Sequence, residues 1–371
     1  MNIVFRVDAS LQIGNGHVMR CLVLADVLRT AGAHCHFICR EHPGNLIAQI
    51  RQHGFEVSVL PAPADAFISD ELAFDSHPNY EVCAWLGADW VNDAIQTKIL
   101  VGRDMIDWLI IDHYSLDSRW EKALCPICLN IMVIDDLANR AHHCDLLLDQ
   151  NLGRSMEDYT HLVPENCALL IGPKYALLRP EFGAMRDFSL LRRVSAQLKH
   201  LLITMGGVDQ VDATSKVLEA LLNCTLPSDL RITVVMGQQA PWLERVQLLV
   251  KKMPLPTELK VNVNNMAQLM ADSDLAIGAA GSTSWERCCL GLPSIICVQA
   301  ANQRLIASAL KLSGASESLS ISADLQPSLE VILNVFRKKN NLQKMSASAA
   351  KIVDGKGVSR VAAQLKARAS P

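Results

Sequence analysis

Residues 2–28 read NIVFRVDASLQIGNGHVMRCLVLADVL, the most informative segment of the chain. Near its beginning, Ile3, Val4, Phe5 and Val7 are apolar, which is typical of a buried strand. Apolar residues then recur at helical spacing over residues 18–28. Between the two, Gly14 and Gly16 allow a tight turn and a close approach of the backbone to a ligand. The stretch therefore predicts a strand, a glycine turn and a helix.

His17 lies at the predicted start of this helix, next to the carboxyl end of the first strand. Ligands of α/β proteins bind at the carboxyl ends of parallel strands, and histidine is the side chain whose charge changes near neutral pH. We therefore predict that His17 is catalytic and that Gly14 and Gly16 line the substrate. The alternative is a nucleotide-loop histidine with only a structural role.

The same alternation of apolar strands and amphipathic helices continues along the chain, which predicts parallel sheets. Segment 172–193 contains two prolines and then becomes charged, so we interpret it as a crossing between domains. We predict two doubly wound, Rossmann-like α/β domains, residues 1–180 and 195–371, that face each other across a central cleft. The strands are expected at residues 2–7, 34–39, 56–60, 108–112, 131–135, 146–148, 168–171, 198–204, 231–236, 259–263, 275–278 and 294–298.

Composition excludes several classes of function. The chain of 371 residues is 50% hydrophobic and 20% charged, which is typical of a compact globular protein. A net charge of −3 without a long basic stripe argues against nucleic acid or an anionic membrane as a partner. No secretory signal and no apolar run of membrane-spanning length are evident, so we expect a cytoplasmic protein.

The chain has 12 cysteines, scattered singly through apolar segments, which favours free thiols in a reducing compartment. Cys125 and Cys128 form a C-x-x-C motif without a second pair at zinc spacing. The segment 142–144, His-His-Cys, is another possible ligand cluster. We expect neither a metal nor a cofactor.

A second strand followed by small residues and a helix occurs at residues 278–286, GAAGSTSWE. Exposed backbone N–H groups and a helix amino terminus favour a bound pyrophosphate, and the hydroxyls of Ser282 and Thr283 add donors next to Gly281. Glu286 is placed to accept hydrogen bonds from ribose hydroxyls. The alternative is an ordinary capped helix with a loose glycine loop.

Further polar groups follow other predicted strands. Asp112-His113-Tyr114 ends one strand and is expected to face the same cleft as His17. Asp135-Asp136 ends the next strand, either as an acid and base or as a turn former. Asn302 and Gln303 offer amides suited to sugar hydroxyls or acetamido groups.

Taken together, these motifs resemble the nucleotide-sugar hydrolases of pseudaminic acid biosynthesis, which release UDP from UDP-2,4-diacetamido-2,4,6-trideoxy-β-L-altropyranose. The matching segments follow one another in order over most of the chain. They are residues 6–10, 13–22, 111–114, 135–136, 142–145, 172–182, 205–209 and 279–293.

The resemblance implies the glycosyltransferase-B architecture of the lipid-II-forming N-acetylglucosaminyltransferase, with UDP held mainly by the carboxy-terminal half. It implies that His17 is the catalytic histidine and that Tyr114 and Asn302 line the sugar pocket. It also explains segment 142–144 as a family signature and not a zinc site. The expected partners are a UDP-sugar and water, and the expected state is a monomer.

A mechanism follows from the chemistry of the expected substrate. UDP is a good leaving group, and donors at the Ser282 loop stabilise its growing charge. Neutral His17 takes a proton from the water that attacks the anomeric carbon, with inversion. Two rivals are a sugar transferase that uses an acceptor hydroxyl on the same scaffold and a nucleotide-sugar-binding protein without catalysis.

Overall fold

In a computed structural model of the chain, the structure is described for residues 1–62, 85–195, 197–238, 240–299, 303–321, 325–338 and 340–369. The chain forms two compact units, within each of which most residue contacts are made. The first unit comprises Met1–Leu177 and Val358–Pro371, and the second comprises Leu178–Gly357. Each unit is built on one parallel sheet with helices packed against it.

The first unit has a sheet whose described strands are β1 (Asn2–Val7), β2 (His34–Arg40), β3 (Glu56–Leu60), β4 (Ile106–Asp112), β5 (Cys128–Ile134), β6 (Leu146–Asp149) and β7 (Ala168–Ile171). Their order is β3-β2-β1-β4-β5-β6-β7, and every pairing is parallel. Phe5 on β1 and Ile110 on β4 are fully buried. Strands covered on both faces are apolar throughout, which is why the sequence shows them as continuous runs.

Helices join these strands at α1 (Gly16–Thr30), α2 (Ile47–Gln52), α3 (Trp90–Val101) and α4 (Ser118–Leu124). Val18 and Leu28 of α1 pack into the same core as Phe5. Asp117 caps α4 by accepting a hydrogen bond from the backbone N–H of Arg119 at 2.9 Å. The polar residues at the end of β4 are therefore not needed as caps.

The second unit has a sheet whose described strands are β8 (His200–Thr204), β9 (Arg231–Met236), β10 (Thr257–Val261), β11 (Leu275–Ala279), β12 (Ser294–Val298) and β13 (Ser316–Ser320). Their order is β10-β9-β8-β11-β12-β13, again with parallel pairings. The helices of this unit are α5 (Pro180–Arg193), α6 (Ala213–Leu222), α7 (Leu243–Lys252), α8 (Met266–Asp272), α9 (Ser282–Cys289), α10 (Gln303–Leu312), α11 (Leu325–Phe336) and α12 (Asn341–Ala350).

Helix α5 occupies most of the segment that we interpreted as a crossing between domains. Its arginines donate to backbone carbonyls at the ends of neighbouring helices, where intrahelical donors are lacking. Arg186 bonds to the carbonyl oxygens of Cys289, Ala350 and Val353. Arg193 bonds to those of Met270, Ser273 and Leu290. Helix α5 thus belongs to the packed body of the second unit, and the division between the units after Leu177 falls within the segment.

The last helix, α13 (Gly357–Ala369), packs into the first unit. Val361 and Leu365 belong to the core formed by α1 and β1. The indole N–H of Trp108 on β4 donates to the carbonyl of Leu365 at 3.1 Å. The boundary drawn at 195–371 assigned this helix to the second half, so the contacts place it differently from that expectation.

Several elements differ from the sequence-based expectation, and strand β10, for example, covers Thr257–Val261 and not 259–263. Strand β13 was not predicted because Ser316-Glu317-Ser318-Leu319-Ser320 is polar, and it lies at the edge of its sheet. The helical pattern of residues 43–53 predicts a helix from residue 43, but α2 begins only at Ile47. Hydrogen bonds of Asn45, to the carbonyl of His42 and from the N–H of Ile47, hold a turn there instead.

Candidate functional site

The first unit gathers polar side chains at the carboxyl ends of β1 and β4. These strands are neighbours, with Val7 opposite Asp112. Strand order runs outward in both directions from this pair, so the edge is the topological switch point at which α/β sheets bind ligands. His17 on α1 follows β1, and Asp112 is the last residue of β4.

The loop between β1 and α1 is held by Ser10. Its hydroxyl oxygen accepts hydrogen bonds from the N–H groups of Gln12 and Ile13, at 3.1 and 2.9 Å, and its carbonyl accepts from Gly14 at 2.9 Å. Gly14 has φ +79°, a conformation that favours glycine. Apart from the glycine, its chain neighbours and the backbone of its own helix, no described residue places a heavy atom within 4 Å of a Cβ built at Gly14 or Gly16. The predicted glycine turn is thus present, and it leaves open space beside both glycines.

His17 is paired with Asp112. The two side chains meet at 2.6 Å between Nδ1 and Oδ1, and His17 is only 8% exposed. Burial alone raises the pKa of Asp112, but the charge of Arg20 and the hydrogen bonds from Arg20 and His17 outweigh burial and hold the pKa well below its usual range. In the tautomer whose Nδ1–H donates to this carboxylate, Nε2 is the ring nitrogen that can accept a proton.

Arg20 fixes the carboxylate that orients His17. Its Nε donates to Asp112 Oδ2 at 2.6 Å and its Nη2 donates to Oδ1 at 2.7 Å, the geometry of a two-pronged pair. Arg20 also contacts Asp136, at 2.8 Å from Nη2 to Oδ2. Sequence reasoning missed Arg20, although its place one helical turn after His17 put both side chains on the same face of α1.

Tyr114 lies beside His17, as the sequence suggested for the end of β4. Its ring meets the imidazole edge-on with centroids 4.7 Å apart, and the ring of Trp85 stacks on it at 5.8 Å. The phenol donates to Asp136 Oδ2 at 2.8 Å. Burial and the nearby carboxylate raise the pKa of Tyr114 well above its usual value, so the phenol stays a hydrogen-bond donor.

A second carboxylate cluster lies at the ends of β5 and β6. The Tyr159 hydroxyl is 3.0 Å from Asp135 Oδ2 and 2.9 Å from Asp149 Oδ2. Burial and the charge of Asp136 raise the pKa of Asp149 to about 7. Asn151 links the cluster to the site, since its side chain donates to Asp136 at 3.0 Å and its N–H to Asp149 at 2.8 Å.

The other histidines near this edge have structural partners. His113 accepts at Nδ1 from the N–H of Ser115 and places Nε2 3.3 Å from Asp8, away from His17. His142 meets Glu121 at 2.6 Å, and both are fully buried. This pair gives His142, the first residue of the His-His-Cys segment, a structural partner. Among the described residues, no group of three or more His, Cys, Asp and Glu side chains is arranged to hold a metal.

The predicted phosphate loop of the second unit follows β11 and opens α9. Gly281 is the N-cap, and its carbonyl accepts from the N–H of Ser284 at 2.9 Å. Ser282 and Thr283 form the first turn and are half-buried. The loop therefore presents small side chains, hydroxyls and a helix amino terminus together, an arrangement that binds anions.

Glu286 lies one turn into α9, with 16% of its side chain exposed. Burial raises its pKa to about 6, while Arg179, 4.0 Å away, opposes that shift. Gln303 begins α10 and accepts from the N–H of Gln299 at 2.9 Å, so its amide oxygen is engaged within the chain. Asn302 falls outside the described residues.

Known proteins resemble the chain in both sequence and fold. Residues 200–364 match the model of the glycosyltransferase family 28 C-terminal domain. The UDP-2,4-diacetamido-2,4,6-trideoxy-β-L-altropyranose hydrolase of Campylobacter jejuni is 29% identical over 283 residues, 76% of this chain and 86% of that protein. An uncharacterized protein of Methanocaldococcus jannaschii is 28% identical over 308 residues, 82% of this chain. The match spans only 57% of that relative's length.

The solved structure of MurG from Acinetobacter baumannii superposes with a TM-score of 0.67 at 15% identity, covering 99% of both chains. The expected fold class, two Rossmann-like parallel-sheet α/β domains of the glycosyltransferase-B type, is confirmed. In the described part of the chain, none of the helices is both long enough and apolar enough to cross a membrane.

Proposed function

We propose that the chain is an enzyme that hydrolyses UDP-2,4-diacetamido-2,4,6-trideoxy-β-L-altropyranose to UDP and the free sugar. The observation that carries the proposal is the contact of 2.6 Å between His17 Nδ1 and Asp112 Oδ1, which leaves Nε2 as a base. The Campylobacter relative, named for this reaction, supports the choice of substrate. The free cysteines of the described residues support a reducing compartment such as the cytoplasm.

In the proposed step, a water oxygen attacks the anomeric carbon and His17 Nε2 takes one water proton. The bond from that carbon to the phosphate oxygen breaks, and its electron pair leaves with UDP. Attack opposite the leaving group inverts the anomeric centre. The carboxylate of Asp112, fixed by Arg20, stabilises the imidazolium that forms.

The second unit supplies the nucleotide side of the proposal. The Gly281 loop, Ser282 and Thr283 bind the diphosphate, and their donors stabilise the charge that develops on UDP. Glu286 accepts hydrogen bonds from the ribose hydroxyls. Tyr114 of the first unit contacts the sugar next to His17, with its hydroxyl oriented by Asp136.

The decisive experiment is incubation of the full chain with the UDP-sugar in ¹⁸O-labelled water, without an acceptor. We expect UDP release, with the label on the sugar and none on UDP. Label in the UDP phosphate would mean attack at phosphorus and would contradict the mechanism. Parallel reactions with UDP-N-acetylglucosamine test whether the diacetamido sugar is selected.

A glycosyltransferase is the second candidate, favoured by the match of residues 200–364 to a glycosyltransferase family. The same His17–Asp112 pair suits deprotonation of an acceptor hydroxyl. UDP release that requires an added acceptor, with no free sugar formed, would support this candidate over hydrolysis.

A further inference from the structure

The second unit buries an arginine against the proposed phosphate loop. Arg287 on α9 is 1% exposed. Its Nη2 donates to the carbonyl oxygen of Ala279 at 2.8 Å and to the hydroxyl of Ser284 at 3.0 Å, and its Nη1 lies 3.5 Å from Thr283 Oγ1. The guanidinium thus contacts the loop at the end of β11 and on the first turn of α9.

Arg287 has no carboxylate partner among the described residues, and its Nε has no hydrogen-bond acceptor there. The buried arginines of the first unit differ in this respect. Arg6, Arg20 and Arg40 each form an ion pair with an aspartate. Burial without such a partner lowers the pKa of Arg287. A buried cation of this kind is costly unless an anion compensates it.

The chain makes room for this cation at Gly278. A Cβ at this position would lie 2.6 Å from Nη1 of Arg287 and 2.6 Å from the carbonyl oxygen of Thr204. The guanidinium therefore occupies the space that a side chain would need. Because the carbonyl of Ala279 points at Arg287, the N–H of the same trans peptide, that of Ala280, points away from it.

We propose that Arg287 is a specificity-determining residue that attracts the diphosphate of the ligand across the loop and so favours nucleoside diphosphates over nucleosides. The inference rests on the proposed nucleotide binding at Gly281–Thr283. A positive charge in a partly dehydrated site attracts a diphosphate over several ångströms. The same charge does not stabilise the binding of an uncharged nucleoside. The preference must therefore increase with the number of phosphates.

The test compares the affinities of the full-length protein for UDP, UMP and uridine. Calorimetry serves for UDP and UMP, and ligand-observed NMR serves for uridine. Arg287→Gln keeps an amide donor but removes the charge. We expect it to lower the affinity for UDP by about tenfold or more, the affinity for UMP by a smaller factor, and the affinity for uridine by less than about twofold. Arg287→Lys keeps the charge and should retain most of the preference for UDP over uridine. Arg193→Gln is the matched control, a buried arginine bonded to carbonyls, and should leave that preference unchanged.

If Arg287→Gln lowers the affinities for UDP and uridine by the same factor, Arg287 only shapes the loop, and the inference is overturned. Unchanged affinity for UDP in this variant would also overturn it. Should Arg287→Gln fail to fold by circular dichroism, Arg287→Lys decides, and loss of the preference there also overturns the inference. Wild-type protein that binds UDP but releases none from the sugar nucleotide contradicts only the proposed hydrolysis. Wild-type protein that binds no UDP contradicts both.

Discussion

At the level of single residues, the candidate site combines an imidazole with a fixed carboxylate. Asp112 accepts from His17 on one side and from both prongs of Arg20 on the other. The carboxylate cannot rotate without losing a charge-assisted bond. The imidazole is therefore held in one orientation before any substrate arrives.

Replacing His17 by Ala should lower the rate of UDP release by about 10²–10⁴-fold, because the general base is lost. UDP affinity should stay unchanged, since the nucleotide is proposed to bind the second unit. Initial rates and calorimetry on the same preparation measure both. The control is His36→Ala. His36 on β2 is half-buried, and its Nε2 lies 2.9 Å from the hydroxyl of Ser58 on β3. Near-normal turnover of His17→Ala would remove the histidine from the mechanism.

Glu286 should make UDP binding depend on pH. Its pKa is raised to about 6, so the carboxylate is ionised above that pH and loses acceptor capacity as the pH falls through it. We expect UDP affinity to fall between pH 7 and pH 5 more steeply in wild-type protein than in Glu286→Gln. The terminal phosphate of UDP titrates near pH 6 with either protein. The difference between the two pH profiles therefore reports on the Glu286 carboxylate alone. Parallel calorimetric curves would contradict the assignment.

The sequence predicted where the site would form but not which side chains would meet. Asp112, His113 and Tyr114 were all expected near His17. Successive strand residues point to opposite faces, and the structure turns Asp112 and Tyr114 toward His17 while His113 reaches Asp8. The contact of His17 with Asp112 joins residues 95 positions apart. It depends on β1 and β4 being neighbours, which no local pattern specifies.

At the scale of elements, the carboxyl ends of β5 and β6 concentrate acidic side chains in a buried space. The single O–H of Tyr159 faces both Asp135 and Asp149 and can donate to only one of them. Arg140 pairs with Asp135 at 2.8 Å, whereas Arg154 Nε lies 3.5 Å from Asp149 Oδ2 without forming a hydrogen bond to it. The pair is therefore best satisfied when Asp149 carries a proton and donates it to the phenol oxygen.

Asp149→Asn should stabilise the protein at pH 8 and have little effect near pH 4. The pKa of Asp149 is raised to about 7 in the folded state from an ordinary value of 3.8. The folded protein therefore binds the proton more tightly, and stability falls as the pH rises from about 4 to 7. Asparagine imitates the protonated acid, so we expect a gain of roughly 1–4 kcal/mol at pH 8. Urea unfolding at both pH values tests this, and equal effects at the two would contradict it.

The sequence predicted the central strands well, because strands buried on both faces are apolar without interruption. Strand β1 has the predicted bounds, Asn2–Val7, and so does β9, Arg231–Met236. Strand β13 could not be recognised, since an edge strand that alternates serine with other residues lacks that signal. Its place is set by pairing with β12, a tertiary contact.

At the scale of the whole molecule, the chain returns to its first unit at the end. Helix α13 buries Val361 and Leu365 in a core that otherwise consists of amino-terminal residues. The carbonyl of Leu365 also accepts from Trp108. Stability of the first unit thus depends on residues at the far end of the sequence.

Removal of residues 358–371 should destabilise the first unit and spare the second. Four buried side chains, those of Val358, Val361, Ala362 and Leu365, would leave the core, at a cost of roughly 5–10 kcal/mol. Hydrogen exchange should show faster exchange in β1 and β4 and unchanged exchange in β8 and β11. Leu365→Ala is a milder change, and we expect it to lower the free energy of unfolding of the first unit by about 2–5 kcal/mol. Faster exchange confined to the second unit would contradict the assignment of α13.

The packing of α13 into the first unit also affects the order in which the two units can complete folding during translation. A ribosome releases β1 to β7 early, yet it must still make residues 178–357 before α13 emerges. At ordinary elongation rates this takes roughly 10–40 s. During that time the growing chain exposes the surface of its first sheet that α13 will cover, while the second unit has its whole sequence in one uninterrupted stretch. The unit that is translated first is therefore completed last, and a chaperone that shields apolar surface would act on the amino-terminal sheet during this interval.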